Sequence, residues 1–320
     1  MAIALPDKSS IFNGLAKLPF PVRQSLLGLG YMMVPRRRAT LAPLLKIALR
    51  DLPRSGRPLL PDSATALAVP DGLCGLTGRL DVQTLLEGYA RGMFVHNHVG
   101  PMKWWAPEHR MVFFFEKMKI EKRARRHLRD GDFRITFDTA FADVMRACAE
   151  PRAGHTPLTW ITPRLQRLFA EAHAAGHAHS VEIWRGEELV GGVYGLAVGK
   201  VFFAESQFFT VDNASKVAVA VLYRHLQHWG FAFNDSKHAT RFLSDAGMIP
   251  ILRDEFNALL AQHARLPGKV GRWQAEPDLL GGDWKPADAK GTHMQGLLPN
   301  GTACKFTALD LLGEHRSNTW

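Results

Sequence analysis

The sequence predicts an α+β protein, and three observations carry that prediction. Residues 181–237 first alternate apolar and β-branched residues as strands do, then shift to a 3.6-residue helical period, then return to a short strand. A second strand-rich piece stands at residues 110–115, and helical patterns recur at 141–149 and 163–175. The composition, 46% apolar and 22% charged over 320 residues, suits a globular chain with a full core, as one large domain or two ordinary ones.

Residues 1–60 are basic and interrupted by Pro19, Pro21, Pro35, Pro53 and Pro58. Between the prolines, residues 39–52 fit one amphipathic helix with Leu41, Leu44, Leu45, Ile47, Ala48 and Leu52 partly on one face. This extension is expected to pack on the main body rather than to anchor on a membrane or on RNA. In the next unit, residues 80–91 read as a helix ended by Gly92, and Lys103-Trp104-Trp105 opens a strand. Within EKMKIEKRARRHLR, at 116–129, Lys117, Lys119, Lys122, Arg123, Arg125, Arg126 and Arg129 surround a thin apolar stripe. That pattern reads equally as a solvated helix face and as a phosphate contact.

A strand is expected at 133–137. The central stretch turns at Arg185-Gly186-Glu187 and at Val198-Gly199-Lys200. Its helix starts after Asp212-Asn213 and carries Val217, Ala220, Val221, Arg224, Leu226 and Trp229 in helical spacing. A strand at 231–234 then delivers Asp235. Helices are expected at 240–247 and 253–262. Residues 267–320 are rich in Gly, Pro and Asp and read as a loosely structured appendage, with a short strand or helix at 303–312.

A net charge of +10 favours a polyanionic partner: tRNA, DNA or an acidic lipid surface. Cys74, Cys148 and Cys304 are far apart and without ligand spacing, which supports neither a disulfide framework nor a zinc site. The start MAIALPDKSS lacks the features of a secretory signal, and the apolar run at 26–34 is too short to span a bilayer, so the cytoplasm is the expected compartment.

The motifs for common chemistries are missing or misplaced. There is no G-x-S-x-G elbow, His177 and His179 have no third ligand at a usual spacing, and the glycines at 191–195 lie inside a strand pair. Residues 227–232 loosely match the Q-x-x-G-x-A pyrophosphate loop of acetyl-CoA acyltransferases, but follow a helix instead of opening one, so no CoA site is expected. What remains is Glu205, Asp235 and Lys237. A glutamate inside VFFAESQFF needs a partner, because an unpaired charge in an apolar strand is costly; an ion pair with a residue such as Lys216 would satisfy it. Asp235 and Lys237, two apart at a strand end, are expected to face the same way, as a salt bridge or as a carboxylate that orients an amine.

Several pieces together resemble the leucyl/phenylalanyl-tRNA–protein transferases, bacterial enzymes that move an amino acid from a charged tRNA onto a protein's N-terminus. They are LLEGYARGMF at 85–94, WWAPEHRMVF at 104–113, LTWIT at 158–162, GHAHSVEIW at 176–184, ELVGGVYGLAVGKVFFAES at 188–206 and NASK at 213–216, spread in the family's order over residues 70–262. The resemblance implies a GNAT-like acyltransferase domain preceded by a small N-terminal α/β domain. In this chain that gives an extension at 1–60, the small domain at 61–110, the transferase domain at 111–266 and the appendage at 267–320. It also implies attack of an α-amine on the ester that joins amino acid to tRNA, without CoA, metal, ATP or other cofactor. The partners would be aminoacyl-tRNA and an acceptor protein or peptide N-terminus.

On this resemblance Glu205, Asp235 and Lys237 are the catalytic candidates. Trp160, Val193, Glu205, Ser206, Phe208, Phe209 and His96 would form the substrate pocket, with Lys119, Lys122, Arg123, Arg125 and Arg126 on the tRNA. The chain departs from the family in places. The usual FPWF is Phe94-Val95-His96-Asn97, so His96 stands where a tryptophan would wall the aminoacyl end. The usual Asp-x-Gln is Asp235-Ser236-Lys237, which replaces an amide with a cation expected to pair with Asp235 and to compete with a basic acceptor residue. Two other readings stay open: a GNAT-like acyltransferase with another acyl donor, and a non-catalytic paralogue that binds tRNA or N-degrons.

Overall fold

The protein is seen in a computed structural model that describes residues 18–32, 40–54, 56, 60–97, 100–115, 122–150, 158–240, 243, 244 and 246–281. The helices are α1 (Phe20–Met32), α2 (Leu41–Asp51), α3 (Val82–Ala90), α4 (Lys122–Asp130), α5 (Phe141–Ala149), α6 (Pro163–Ala174), α7 (Ala214–His228) and α8 (Arg253–His263). The strands are β1 (Leu73–Thr77), β2 (Phe94–Val95), β3 (Met102–Trp105), β4 (His109–Phe114), β5 (Arg134–Phe137), β6 (Ala178–Arg185), β7 (Glu188–Val198), β8 (Val201–Phe209), β9 (Phe233–Asp235) and β10 (Ile249–Leu252). The α+β expectation holds. Of the helix expected at 240–247, Leu243 and Ser244 are helical, while 241, 242 and 245 lie outside the described residues. The element expected at 303–312 lies outside them as well.

Seven strands form the main sheet in the order β10-β4-β9-β8-β7-β6-β5, and three more form a small sheet, β1-β3-β2. All main-sheet neighbours are antiparallel except β8 and β9, which α7 connects as a parallel pair. The two-residue turn at Gly186 and the one at Gly199 set the β6-β7-β8 meander, as their Gly-containing sequences suggest. On one face of the sheet, α7 buries Val217, Val221 and Leu226 against Val181, Ile183, Val193 and Phe202. On the other face Tyr194, Leu196, Phe203 and Phe208 meet α5 and α6, and that cluster continues without a break into Tyr89, Phe94 and Trp104 of the small-sheet unit.

Strand β8 carries a β-bulge. Tyr194 pairs with Ser206 and Gly195 with Ala204, so Glu205 is the extra residue. The irregularity breaks strict alternation, and Phe203 and Phe208 share one face although they are five residues apart. Gly195 is required opposite the bulge, because a Cβ there would overlap the carbonyl of Phe203 and the ring of Phe202.

Two parts of the chain differ from the sequence pattern. Residues 20–32, for which the sequence predicts no element beyond an apolar run at 26–34, form α1, tied to the body by Gln24 Nε2 donating to Thr159 O at 2.7 Å. Residues 267–281 are irregular apart from one 3-10 turn, yet they are not loose. Trp273 is fully buried, stacks on His179 with ring centroids 3.6 Å apart, and donates its backbone N–H to Asp138 at 2.7 Å. Arg224, buried in α7, donates to the carbonyls of Leu279 and Gly281. The helix α2 docks through part of its expected face: Ile47 is buried, Leu44 and Ala48 are partly buried, and Asp51 accepts from Leu76 N at 2.8 Å, whereas Leu41, Leu45 and Leu52 stay exposed.

Candidate active site

Three elements deliver the ionisable groups. Strand β4 supplies Arg110, the bulge of β8 supplies Glu205, and the end of β9 supplies Asp235 with Lys237 just beyond it. Because β9 lies between β4 and β8, Asp235 stands beside Val112 on one side and Phe203 on the other. All four charged side chains are almost wholly removed from solvent.

The pairing differs from the expected one. Asp235 is held by Arg110, with Nη2 to Oδ2 at 2.5 Å and Nε to Oδ1 at 3.2 Å, a two-point guanidinium–carboxylate contact. Arg110 also donates to the carbonyl of Gly92 and lies over the ring of Phe256 at 4.1 Å. Gly92 has a φ of +81°, and a Cβ there would overlap Asn257, so this carbonyl is presented by a position that only glycine fills comfortably.

Lys237 turns away from Asp235. Its backbone has a φ of +67°, outside strand geometry, so the rule that residues two apart share a face fails at this point. Its backbone N–H donates to Asp235 Oδ1 at 3.1 Å, while its Nζ reaches Glu205 Oε1 at 2.8 Å and the carbonyl of Ala204 at 2.6 Å. The expected Lys237–Asp235 salt bridge is therefore replaced by Lys237–Glu205, and Lys237, not Lys216, neutralises the glutamate.

Glu205 Oε1 also accepts from Tyr89 at 2.8 Å, whereas Oε2 is buried with no hydrogen-bond partner among the described residues. The hydroxyl of Tyr194, on the neighbouring strand, is in the same condition. Burial pushes the Glu205 carboxyl above its ordinary value, and the Lys237 ammonium is the largest influence that holds it down. Burial likewise drives the Tyr89 and Tyr194 hydroxyls up, so both remain protonated donors.

An aromatic cluster adjoins these charges. His96 stacks on Trp160 at 4.9 Å, His238 meets the edges of both Phe94 and His96, and the Lys237 ammonium lies 5.7 Å from the Phe94 ring. The structure brings His96 and Trp160 together, with Phe94 and His238 beside them, and joins Lys237 to Glu205; Phe208 lies on the face of the sheet shared with the small-sheet unit, and Ser206 is paired with Tyr194 next to the bulge. It does not bring in the other two pocket candidates. Val193 is buried on the opposite face under α7, and Phe209 is 57% exposed, paired with Gly191 beside Ala214 on that same side. Alternation along β7, and beyond the bulge along β8, sends them away.

Among the basic candidates, Lys122, Arg123, Arg125 and Arg126 stand exposed on α4, whose Ala124 and Leu128 are buried. Arg126 and Arg129 share Asp130, while Lys122, Arg123 and Arg125 have no ion-pair partner among the described residues. Lys117 and Lys119 lie outside the described residues. No group of three or more His, Cys, Asp or Glu among the described residues is placed to hold a metal ion. His179 is instead committed to Asp138, at 2.8 Å, and to the Trp273 stack. Residues 227–232 straddle the end of α7 and the approach to β9, so their amides do not form a helix N-terminus. Arg110 and Tyr89 belong to the site in addition to the residues the sequence predicts. For Arg110 a signal existed: an arginine leading the apolar run RMVFFF is as anomalous as Glu205 in its strand.

Fold and site together define a mixed α+β protein with two closed cation–carboxylate pairs beside an aromatic cluster. The family model described as leucyl/phenylalanyl-tRNA protein transferase matches residues 112–261. A leucyl/phenylalanyl-tRNA–protein transferase of Cellvibrio japonicus is 44% identical over 208 residues, 65% of this chain and 88% of that relative. Those of Ectopseudomonas mendocina and Nitratidesulfovibrio vulgaris are 42% and 40% identical, over 93% and 97% of their lengths and 66% and 69% of this chain. The chain belongs to the leucyl/phenylalanyl-tRNA–protein transferase family. A solved structure of a functionally unknown conserved protein from Staphylococcus epidermidis aligns with a TM-score of 0.30 at 10% identity, over 56% of this chain and 68% of that one, too low to bear on the fold.

Proposed function

We propose that this chain transfers an amino acid from aminoacyl-tRNA to the α-amine of a protein or peptide N-terminus. The observation that carries the reading is the 44% identity spanning 88% of a relative named for this reaction. The acceptor nitrogen forms a bond to the ester carbonyl carbon, the carbon–oxygen bond to the tRNA ribose breaks, and the proton lost by the amine ends on the departing hydroxyl. The ester is already activated, so positioning and charge stabilisation are what the protein must contribute.

In this reading His96, Trp160, Phe94 and Phe208 receive the side chain of the donated amino acid, a Leu/Phe-sized apolar group. Glu205 Oε2 accepts from the incoming amine. Lys237 has three N–H donors; two are engaged by Glu205 and Ala204, and the third serves the oxygen that gains charge as the amine attacks. Asp235, closed by Arg110, acts as a positioning residue that fixes the Lys237 turn through the backbone N–H. The exposed α4 cations hold tRNA phosphates. Since both carboxylates already have counter-ions, an acceptor beginning with a neutral residue is favoured over one beginning with Lys or Arg. The reading places the reaction on a GNAT-like domain, residues 111–266, behind a small domain at 61–110, and in the cytoplasm, where charged tRNA is found.

The test is incubation of the purified protein with tRNA charged with labelled leucine or phenylalanine and a set of short peptides. Label joined to peptide through a base-stable amide is expected. Label that stays on tRNA with every peptide would refute the reading.

A further inference from the structure

Exposed apolar side chains concentrate on the two N-terminal helices. Among the described residues, six of the ten exposed large apolar side chains are Val22 and Leu26 of α1, Leu41, Leu45 and Leu49 of α2, and Leu52 directly after it. On α2 the spacing of four, four and three puts Leu41, Leu45, Leu49 and Leu52 in one stripe along the helix. Leu45 is 61% exposed and Leu49 71%. An adjoining stripe on the same helix, Ile47 with the partly buried Leu44 and Ala48, packs on the body, and the exposed leucines run along its border and stay uncovered. Soluble surfaces rarely leave a contiguous row of leucines uncovered without a partner for it.

The charge of the segment that carries this face says what the partner is. Residues 1–60 contain ten Lys and Arg and two Asp, a net +8 out of the chain's +10. Asp51, the one acid in the two helices, is buried and paired with Arg50 at 2.6 Å, so among the described residues of α1 and α2 no exposed acid joins the leucines, while Lys46 stands exposed on the same helix. A basic segment that carries an uncovered apolar helix face matches an anionic lipid surface: acyl chains take the leucines and headgroups take the cations. A nucleic acid would meet the cations but leave the leucines in water, and a second copy would bring two strongly basic segments together. We propose that α2, with α1 beside it in sequence, is a peripheral docking face for anionic membranes. It would hold the protein at the bilayer surface while the candidate site on the main sheet stays in water. No helix among the described residues is long and apolar enough to cross a bilayer, and an interfacial contact needs none.

The experiment is flotation of the full-length protein with vesicles of phosphatidylcholine alone and with vesicles containing one part phosphatidylglycerol to three parts phosphatidylcholine, at low and high salt. Binding to the anionic vesicles is expected, weakened by salt and absent on phosphatidylcholine. The double substitution Leu45→Glu and Leu49→Glu should lower that binding at least about tenfold with an unchanged thermal midpoint, because both side chains are outside the core. Failure to float with anionic vesicles would overturn the proposal, as would equal binding by the double variant. So would a concentration-dependent dimer that the double variant makes monomeric, which would assign the face to a second copy. A loss of tRNA affinity in the double variant as large as its loss of vesicle binding would assign it to RNA.

Discussion

Replacing Lys237 by glutamine removes one ammonium from a set of four buried charges and leaves Glu205 with Tyr89 alone. Taking away one partner of a buried ion pair costs about 3–5 kcal/mol when the other charge has no escape. Glu205 has an escape, since it can take up a proton. Burial already raises its carboxyl above the ordinary value and Lys237 is the strongest opposing influence, so the variant carboxyl rises further. A carboxyl whose folded value lies above its unfolded one binds more protons in the native state, so stability falls as pH climbs from about 4.3 through the folded value. The variant should lose stability over a wider range, about 1.4 kcal/mol for each further tenfold displacement of the proton equilibrium. Urea unfolding of both proteins would then give a small gap near about pH 5 and a larger one near about pH 8, bounded by the about 3–5 kcal/mol of an unrelieved buried charge. In transfer assays with Arg-, Ala- and Glu-initiated peptides, the glutamine variant should gain at least about tenfold on the Arg peptide relative to the Ala peptide, roughly 1.4 kcal/mol. A stability gap independent of pH, together with a wild type that works best on the Arg peptide and loses that rate on substitution, would refute the reasoning.

The other predictions concern single contacts. Arg110→Met and Asp235→Asn should each destabilise the protein by about 3–5 kcal/mol, and the double variant by at least about 1.5 kcal/mol less than their sum; additivity would mean the pair does not couple. Reversing Arg123, Arg125 and Arg126 to glutamate together should weaken tRNA binding and flatten its salt dependence, and an unchanged slope would leave α4 as a solvated face. Trp273→Ala should cost about 3–5 kcal/mol as a buried aromatic, measured by denaturant midpoint; no change would show that residues 267–281 are peripheral after all.

The parts of the fold legible in the sequence were those whose pattern is local. The β6-β7-β8 meander followed from alternation and two glycine turns, and α7 followed from its period after Asn213, which caps it with a φ of +67°. The site was half legible. Glu205 stood out because a charge in an apolar strand needs a partner, but the identity of that partner depended on two features without a local signature, the bulge at Glu205 and the positive φ at Lys237. Both break the two-residue alternation from which Lys237 was assigned to Asp235. The same alternation, applied correctly to β7 and the end of β8, sends Val193 and Phe209 to the opposite face of the sheet. Arg110 comes from a strand more than a hundred residues before Asp235, a distance that composition and spacing do not bridge. Trp273 was obscured by its Gly- and Pro-rich surroundings, because a segment without periodicity can still deliver one large side chain to a core.

The most direct test compares wild type and Glu205→Gln in one assay of label transfer from leucyl- and phenylalanyl-tRNA to an Ala-initiated peptide, with tRNA affinity and thermal midpoint measured alongside. The account predicts transfer by the wild type and a loss of at least about tenfold in kcat/KM for Glu205→Gln, at unchanged tRNA affinity. Transfer at the wild-type rate by Glu205→Gln would place the chemistry elsewhere on the protein, and absence of transfer by the wild type from either tRNA would contradict the assignment itself.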